Sequence, residues 1–176
     1  EIHERLVGSE MCIRDRSYTT IIKYAGETMK VLIQRVKKAS VTIENKLYSE
    51  IESGILALVG IEKGDSTEQV EKLAKKIVNL RIFPDENDKM NLSLIDTSGE
   101  MLIVSQFTLC GDCKKGTRPS FDKSAPPEVA NELYEYFIKE VQSYGIKTGT
   151  GVFGAMMEVE LINDGPVTFM LEAHNG

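Results

Sequence analysis

The run Met101 to Leu109 (MLIVSQFTL) is the strongest strand signal in the chain, apolar and β-branched through its first half. Gly54 to Ile61 (GILALVGI) is a shorter apolar run and reads as a second, buried strand. Lys30 to Val36 is partly buried in pattern. Val41–Ile43 and Lys46–Tyr48 flank Glu44-Asn45 as a hairpin would. Arg81-Ile-Phe83, just before Pro84, reads as a short strand, and Asp85 to Met90 as a polar loop. Two closing strands are expected at Met156–Ile162 and Val167–Leu171, separated by Asn163-Asp-Gly-Pro166.

Two segments change period. After the turn Lys63-Gly-Asp65, Ser66 and Gln69 make a capping-box pattern. Val70, Leu73, Ala74, Ile77 and Val78 follow at helical spacing, with a charged outer face. Glu128 to Tyr144 is a second amphipathic helix, its apolar stripe set by Val129, Leu133, Phe137 and Val141. Pro126 and Pro127 stand where a helix start tolerates proline. Many strands with two helices imply α+β. The expected architecture is a curved, mostly antiparallel sheet with a barrel-like core and two packed helices.

Residues 1–28 stand apart. They lack clear periodicity and the apolar core of a signal peptide. Leu6 to Asp15 resembles the translation of a sequencing adapter, so this segment is expected to be a non-native or disordered leader. Residues 29–176 form one domain of ordinary soluble composition.

A net charge of −6 argues against a general nucleic-acid coat but allows a local basic patch. No apolar run is long enough to span a bilayer, so no membrane partner is expected. Cys12, Cys110 and Cys113 give no disulfide framework and imply a reducing, cytoplasmic setting. His3 and His174, one near each end, are the two histidines. That scarcity disfavours Ser-His-Asp and Cys-His sites and a histidine-rich zinc site, so neither metal nor cofactor is expected.

Ser105-Gln-Phe-Thr-Leu109 and Asn163-Asp-Gly-Pro-Val-Thr168 together resemble the two signature motifs of the D-aminoacyl-tRNA deacylase family. Ile33-Gln-Arg-Val36, Lys89-Met-Asn-Leu92, Arg118-Pro-Ser-Phe121 and Phe153-Gly-Ala155 agree, in the expected order. The resemblance implies a homodimeric enzyme that hydrolyses the ester of D-aminoacyl-tRNA. Ser105, Gln106, Phe107 and Thr108 would line the pocket for the aminoacylated 3′ adenosine. Gly165 and Pro166, joined by a cis bond, would enter the pocket of the opposite subunit and block L-amino acid side chains. Glycine has no side chain to reject, so glycyl-tRNA is an expected second substrate. Arg35 would brace the Gly-Pro segment and Met157 would lie beside the pocket.

The resemblance also fits the chain's poverty in bases. Amide N–H groups at Phe107 and Thr108 could hold the developing oxyanion, and the substrate's own 2′-hydroxyl could assist the attacking water. Thr108 as covalent nucleophile is the rival chemistry.

Blander readings stand beside each of these. By spacing alone Ser105–Leu109 is a plain core strand. Gly165-Pro166 alone reads as a trans turn, since only about 5–6% of X-Pro bonds are cis. Cys110-Gly-Asp-Cys113 is a redox pair, half a metal site, or two small residues in a loop. Lys114, Lys115, Arg118 and Lys123 are either a grip on the phosphates of the tRNA acceptor end or a solvated loop. Two other function classes remain: a non-catalytic nucleic-acid-binding module on the same fold, and a thiol redox protein.

Overall fold

The computed structural model describes residues 28–174. The leader expected over residues 1–28 lies outside the described residues, apart from Thr28, which opens the first strand.

Strand β1 (Thr28–Ile43) organises the sheet. One edge pairs antiparallel with β8 (Glu158–His174), from Thr28↔His174 to Thr42↔Glu158. Its other edge is shared by β3 (Gly54–Gly60), over Lys30–Val36, and β2 (Lys46–Ile51), over Ala39–Ile43. Glu44 and Asn45 join β1 to β2 with φ of 51° and 60°. Two positive φ values are what a type I′ hairpin needs.

Strand β3 then pairs parallel with β6 (Glu100–Ser105), and β6 parallel with β7 (Thr148–Thr150). Parallel neighbours need long crossovers. Helix α1 (Thr67–Val78) lies in the first connection and α2 (Pro127–Ser143) in the second. The first also holds a separate two-stranded sheet, β4 (Phe83–Pro84) with β5 (Met90–Leu92). The α+β class with two packed helices stands. The barrel-like core does not: the sheet is mixed and not closed, its strand path running from β2 through β1, β3 and β6 to β7, with β8 added on β1.

Strand β3 is apolar on both faces because both are covered. Ile55, Ala57 and Val59 join Met101 and Ile103 under the helices, against Val70, Leu73, Ile77, Leu133 and Phe137. Leu56, Leu102 and Val104 face the other way, toward Val36, Ala39 and Val41. Burying such side chains contributes roughly 1.5–3 kcal/mol each. The start of α1 is fixed locally: the Gln69 side-chain oxygen accepts the Ser66 N–H at 2.9 Å.

Four expectations are corrected. The strand expected over Met101–Leu109 stops at Ser105, and Phe107–Cys110 is a 3-10 turn, η1. The Gln106 N–H donates to Val59 O at 2.7 Å, and the next acceptor on that side, Ile61 O, is taken by the Ala125 N–H at 3.0 Å. The two closing strands are one, β8, because the ladder to β1 continues on both sides of an interruption. There Asp164–Val167 stand opposite the single residue Arg35, between the pairs Asn163↔Val36 and Thr168↔Gln34. Arg81-Ile82 is not strand; pairing begins at Phe83. On α2, Val129 is exposed, whereas Tyr134 and Ile138 are buried. The Tyr134 hydroxyl donates to Ile103 O at 2.8 Å, which is how a phenol enters the core.

Candidate functional site

Strand β6 delivers Ser105 to the mouth of a cleft of about 720 Å³, and η1 adds Phe107 and Thr108 to its rim. Val59 and Ile61 at the end of β3, Ala130 of α2, and the segment Phe153–Met157 complete the walls. The lining is mainly apolar, with Ser105, Gln106, Thr108 and Ser124 as its polar members. That composition suits a small organic group oriented by few polar contacts.

The rim is locked from below. Gly60 lies under η1, where an added Cβ would meet Leu109 Cβ at 2.9 Å and Gln106 O at 3.2 Å. The Leu109 N–H donates to Gln106 O at 3.2 Å and the Gly111 N–H to Thr108 O at 3.1 Å. Phe107 and Thr108 open the 3-10 turn, so their own N–H groups have no acceptor within it. They are the donors this geometry offers to an incoming oxygen. The Gln106 side-chain amide donates to the Thr108 hydroxyl oxygen. Phe107 is exposed and tilts against Phe121, their ring centroids 5.0 Å apart.

Met157 is held at the opposite wall. The Val152 N–H donates to its sulfur at 3.4 Å, and a Cβ on Gly151 would meet that sulfur at 2.6 Å. The missing side chain of Gly151 is therefore the seat of the thioether.

Burial keeps two nearby groups, Cys110 and Tyr134, in their neutral forms. Cys110 is buried with its thiol directed to Ile61 O at 3.5 Å, and burial, with Glu62 adding to it, pushes its pKa up to about 11. Cys113 is exposed. Burial also raises the Tyr134 phenol. His174 sits at the far end of β8, its Nδ1 3.0 Å from the Thr28 hydroxyl, and it does not line the cleft. Among the described residues no group of three or more His, Cys, Asp and Glu side chains could hold a metal ion.

The sequence-derived residues divide by place. Ser105, Gln106, Phe107, Thr108 and Met157 share the cleft. Gly165 and Pro166 do not: they are exposed on the interruption of β8, outside their own chain's cleft, joined by a cis peptide bond. Arg35 is buried beneath them. Its Nε donates to Asp164 O at 3.0 Å and lies 3.2 Å from Asp164 Oδ2, and its Nη1 donates to Ile82 O at 2.5 Å. Asn163 supports the same segment: its Oδ1 accepts the Val167 N–H at 2.7 Å and its Nδ2 donates to Thr168 Oγ1 at 2.9 Å.

Lys114, Lys115 and Arg118 are all exposed on the loop after η1; Lys114 lines a second depression beside the cleft, and Lys115 and Arg118 line neither. Sequence reasoning missed the walls at Ala130, Ser124 and Phe153. Ala130 is a small residue one position past the exposed Val129, the only hint that α2 turns this side to an opening.

Known proteins match the chain at the level of family, sequence and structure. A family model described as D-Tyr-tRNA(Tyr) deacylase matches residues 32–172. D-aminoacyl-tRNA deacylase of Thermosipho africanus (strain TCF52B) is 57% identical over 145 residues, covering 82% of this chain and 97% of that protein. The protein of that name from Geotalea uraniireducens (strain Rf4) is 58% identical over 144 residues, covering 82% and 93%. Among solved structures, the c-Myc DNA Unwinding Element Binding Protein aligns with a TM-score of 0.78 at 39% identity, covering 83% of this chain and 99% of that one. Another, described as a "probable eukaryotic D-amino acid tRNA deacylase", has a TM-score of 0.73 at 18% identity, covers 83% and 100%, and bears on the fold alone.

Proposed function

The chain belongs to the D-Tyr-tRNA(Tyr) deacylase family, and from that premise we propose that it hydrolyses the ester of D-aminoacyl-tRNA as a chiral proofreading step. It is an enzyme, a hydrolase of the aminoacyl-tRNA ester bond. The observation that carries the reading is the cleft itself, where Ser105–Thr108 meet an apolar wall wide enough for an aminoacylated adenosine. The terminal adenosine and its ester enter this cleft. The N–H groups of Phe107 and Thr108 receive the carbonyl oxygen as it gains charge. Water attacks, assisted by the neighbouring 2′-hydroxyl of the substrate, since among the described residues no imidazole lines the cleft.

Rejection of L-amino acids is assigned to Gly165 and Pro166 of a second copy. Two facts favour this. The segment is exposed and lies away from its own chain's cleft, and Arg35 and Asn163 hold its flanks rigidly. Ile162, Phe169 and Met170 are exposed on the same strand, an apolar edge suited to a symmetric homodimer. A backbone barrier reads handedness and ignores side-chain identity. Glycyl-tRNA would pass it and be a second substrate.

The test is hydrolysis of D-tyrosyl-tRNA and L-tyrosyl-tRNA by the purified protein. Release from the D ester alone is expected. Release from both would leave the esterase and remove the barrier; release from neither by folded protein would end the proposal. A non-catalytic nucleic-acid-binding module is the second reading, favoured by the name of the c-Myc DNA Unwinding Element Binding Protein. It expects tight RNA or DNA binding without turnover.

Thr108 is a positioning group in this account. Its hydroxyl oxygen is already engaged by Gln106, and no His, Asp or Glu among the described residues lines the cleft beside it. Thr108→Ala should keep kcat within about tenfold of the parent, a change of about 1.4 kcal/mol at most. An acyl-enzyme trapped on Thr108 by rapid quench and mass spectrometry would reverse the assignment.

A further inference from the structure

A second depression lies across η1 from the cleft, and nothing in the deacylase reaction accounts for its lining. Lys30, Lys114 and Lys123 surround it, with Cys110, Gly111, Asp112 and Cys113. The two hollows share a wall: Lys123 faces one and Ser124 the other, and η1 runs from Phe107 at the cleft to Cys110 at the depression.

The lysines are placed, not merely present. Lys123 sits on backbone pinned by its carbonyl, which accepts the Lys63 N–H at 2.9 Å, and by the bridge between Glu62 and Ser124. Lys30 is 2.8 Å from Glu62 Oε1, a carboxylate only 1% exposed. That contact raises the Lys30 pKa and keeps the ammonium charged, and an ammonium has three donors, so others remain for a ligand. The Asp112 carboxylate also lines the depression, one of its oxygens, Oδ1, engaged by the Lys114 N–H at 2.8 Å.

We infer that this depression binds a backbone phosphodiester of the substrate's single-stranded 3′ end, next to the adenosine held in the cleft. The inference rests on the deacylase reading. It also gives the RNA a direction, leaving the cleft over η1 toward Lys30 of β1. Lys115 and Arg118, which line neither hollow, would then contribute only to the general field.

The test uses a non-hydrolysable amide analogue of a D-aminoacylated RNA 3′ end, and the matching amide-linked D-aminoacyl-adenosine, which carries no phosphodiester. Affinity for each is measured from low to high salt for the parent, for Lys114→Gln/Lys123→Gln, and for Lys76→Gln on the far side of α1. Lys30 is left intact because it also pairs Glu62. For the RNA analogue, the double variant should bind at least tenfold more weakly at low salt. Its log K against log salt slope should fall by about 0.7 per lost phosphate contact. Binding of D-aminoacyl-adenosine should not change. An unchanged slope, an equal change in Lys76→Gln, or an equal loss with D-aminoacyl-adenosine would overturn the inference. Hydrolysis of the ester substrate is scored separately. Its failure in the parent, with salt-dependent binding retained, would remove the deacylase reading and leave the phosphate site standing.

Discussion

Arg35→Met is expected to lower the unfolding free energy by about 2–3 kcal/mol and to erode discrimination between D and L esters. The side chain is buried, and its guanidinium is the only bridge from the β1 backbone position opposite the β8 interruption to both Asp164 and Ile82 among the hydrogen bonds described. Methionine retains most of the packing volume but no donor. Ile82 O, in the buried region under the small sheet, then loses its partner, and an orphaned buried acceptor costs about 1–3 kcal/mol. The Asp164 carboxylate is 35% exposed and can rehydrate, so the ionic part adds little. Urea unfolding should show a lower midpoint with an unchanged slope. The functional effect is separate: with Asp164 released, Gly165 and Pro166 lose their fixed height above the sheet. Hydrolysis of the L ester should rise about tenfold relative to the D ester, or about 1.4 kcal/mol of lost discrimination. A destabilised variant with parental D-to-L preference would reduce Arg35 to a purely structural residue.

What was legible in the sequence was local. The hairpin at Glu44-Asn45 and the start of α1 at Ser66 were readable because a turn and a cap are decided by residues within one turn of each other. Strand β7 was not, because Thr148-Gly-Thr150 carries no apolar alternation and becomes strand only by pairing with Met101–Ile103. The unbroken course of β8 was hidden for the same reason: Asn163-Asp-Gly-Pro166 has the composition of a turn, and only the partner strand β1 keeps it in line. Tyr134 escaped notice because its burial depends on a carbonyl of β6, distant in sequence.

The site was legible unevenly. One stretch of the cleft lining, the contiguous motif Ser105–Thr108, stood out in the sequence. The other walls come from β3, α2 and the segment after β7, brought together by two parallel crossovers. The basic cluster shows the limit best. Lys114, Lys115 and Arg118 are near neighbours in sequence, yet only Lys114 reaches a hollow, where it is joined by Lys123 and by Lys30, far away on β1. Charge density along a loop does not report which ammonium groups converge.

Gly60→Ala tests whether the rim amides are the catalytic centre, and it should cost about 10²-fold in kcat with the fold retained. The new Cβ would stand 2.9 Å from Leu109 Cβ, 3.2 Å from Gln106 O and 3.3 Å from Cys110 Sγ. None of the three is the far end of a flexible side chain. Gln106 O is fixed by the Leu109 N–H, and the Cys110 thiol by Ile61 O. The strand below cannot yield either, since Gly60 is paired with Lys30 and Val59 with Ser105. So η1 must rise by a few tenths of an ångström, carrying Phe107 and Thr108 with it. Crowding of this kind costs about 1–3 kcal/mol in stability, whereas a displaced oxyanion donor costs about 10²–10³ in rate. The two effects separate in one experiment: KM for D-tyrosyl-tRNA should move little while kcat falls, because the apolar walls at Ala130 and Phe153 and the lysines of the phosphate hollow lie outside η1. A folded Gly60→Ala with parental kcat would mean that the N–H groups of η1 do not hold the reacting carbonyl, and the chemistry would have to be sought at Ser105 or on the substrate alone.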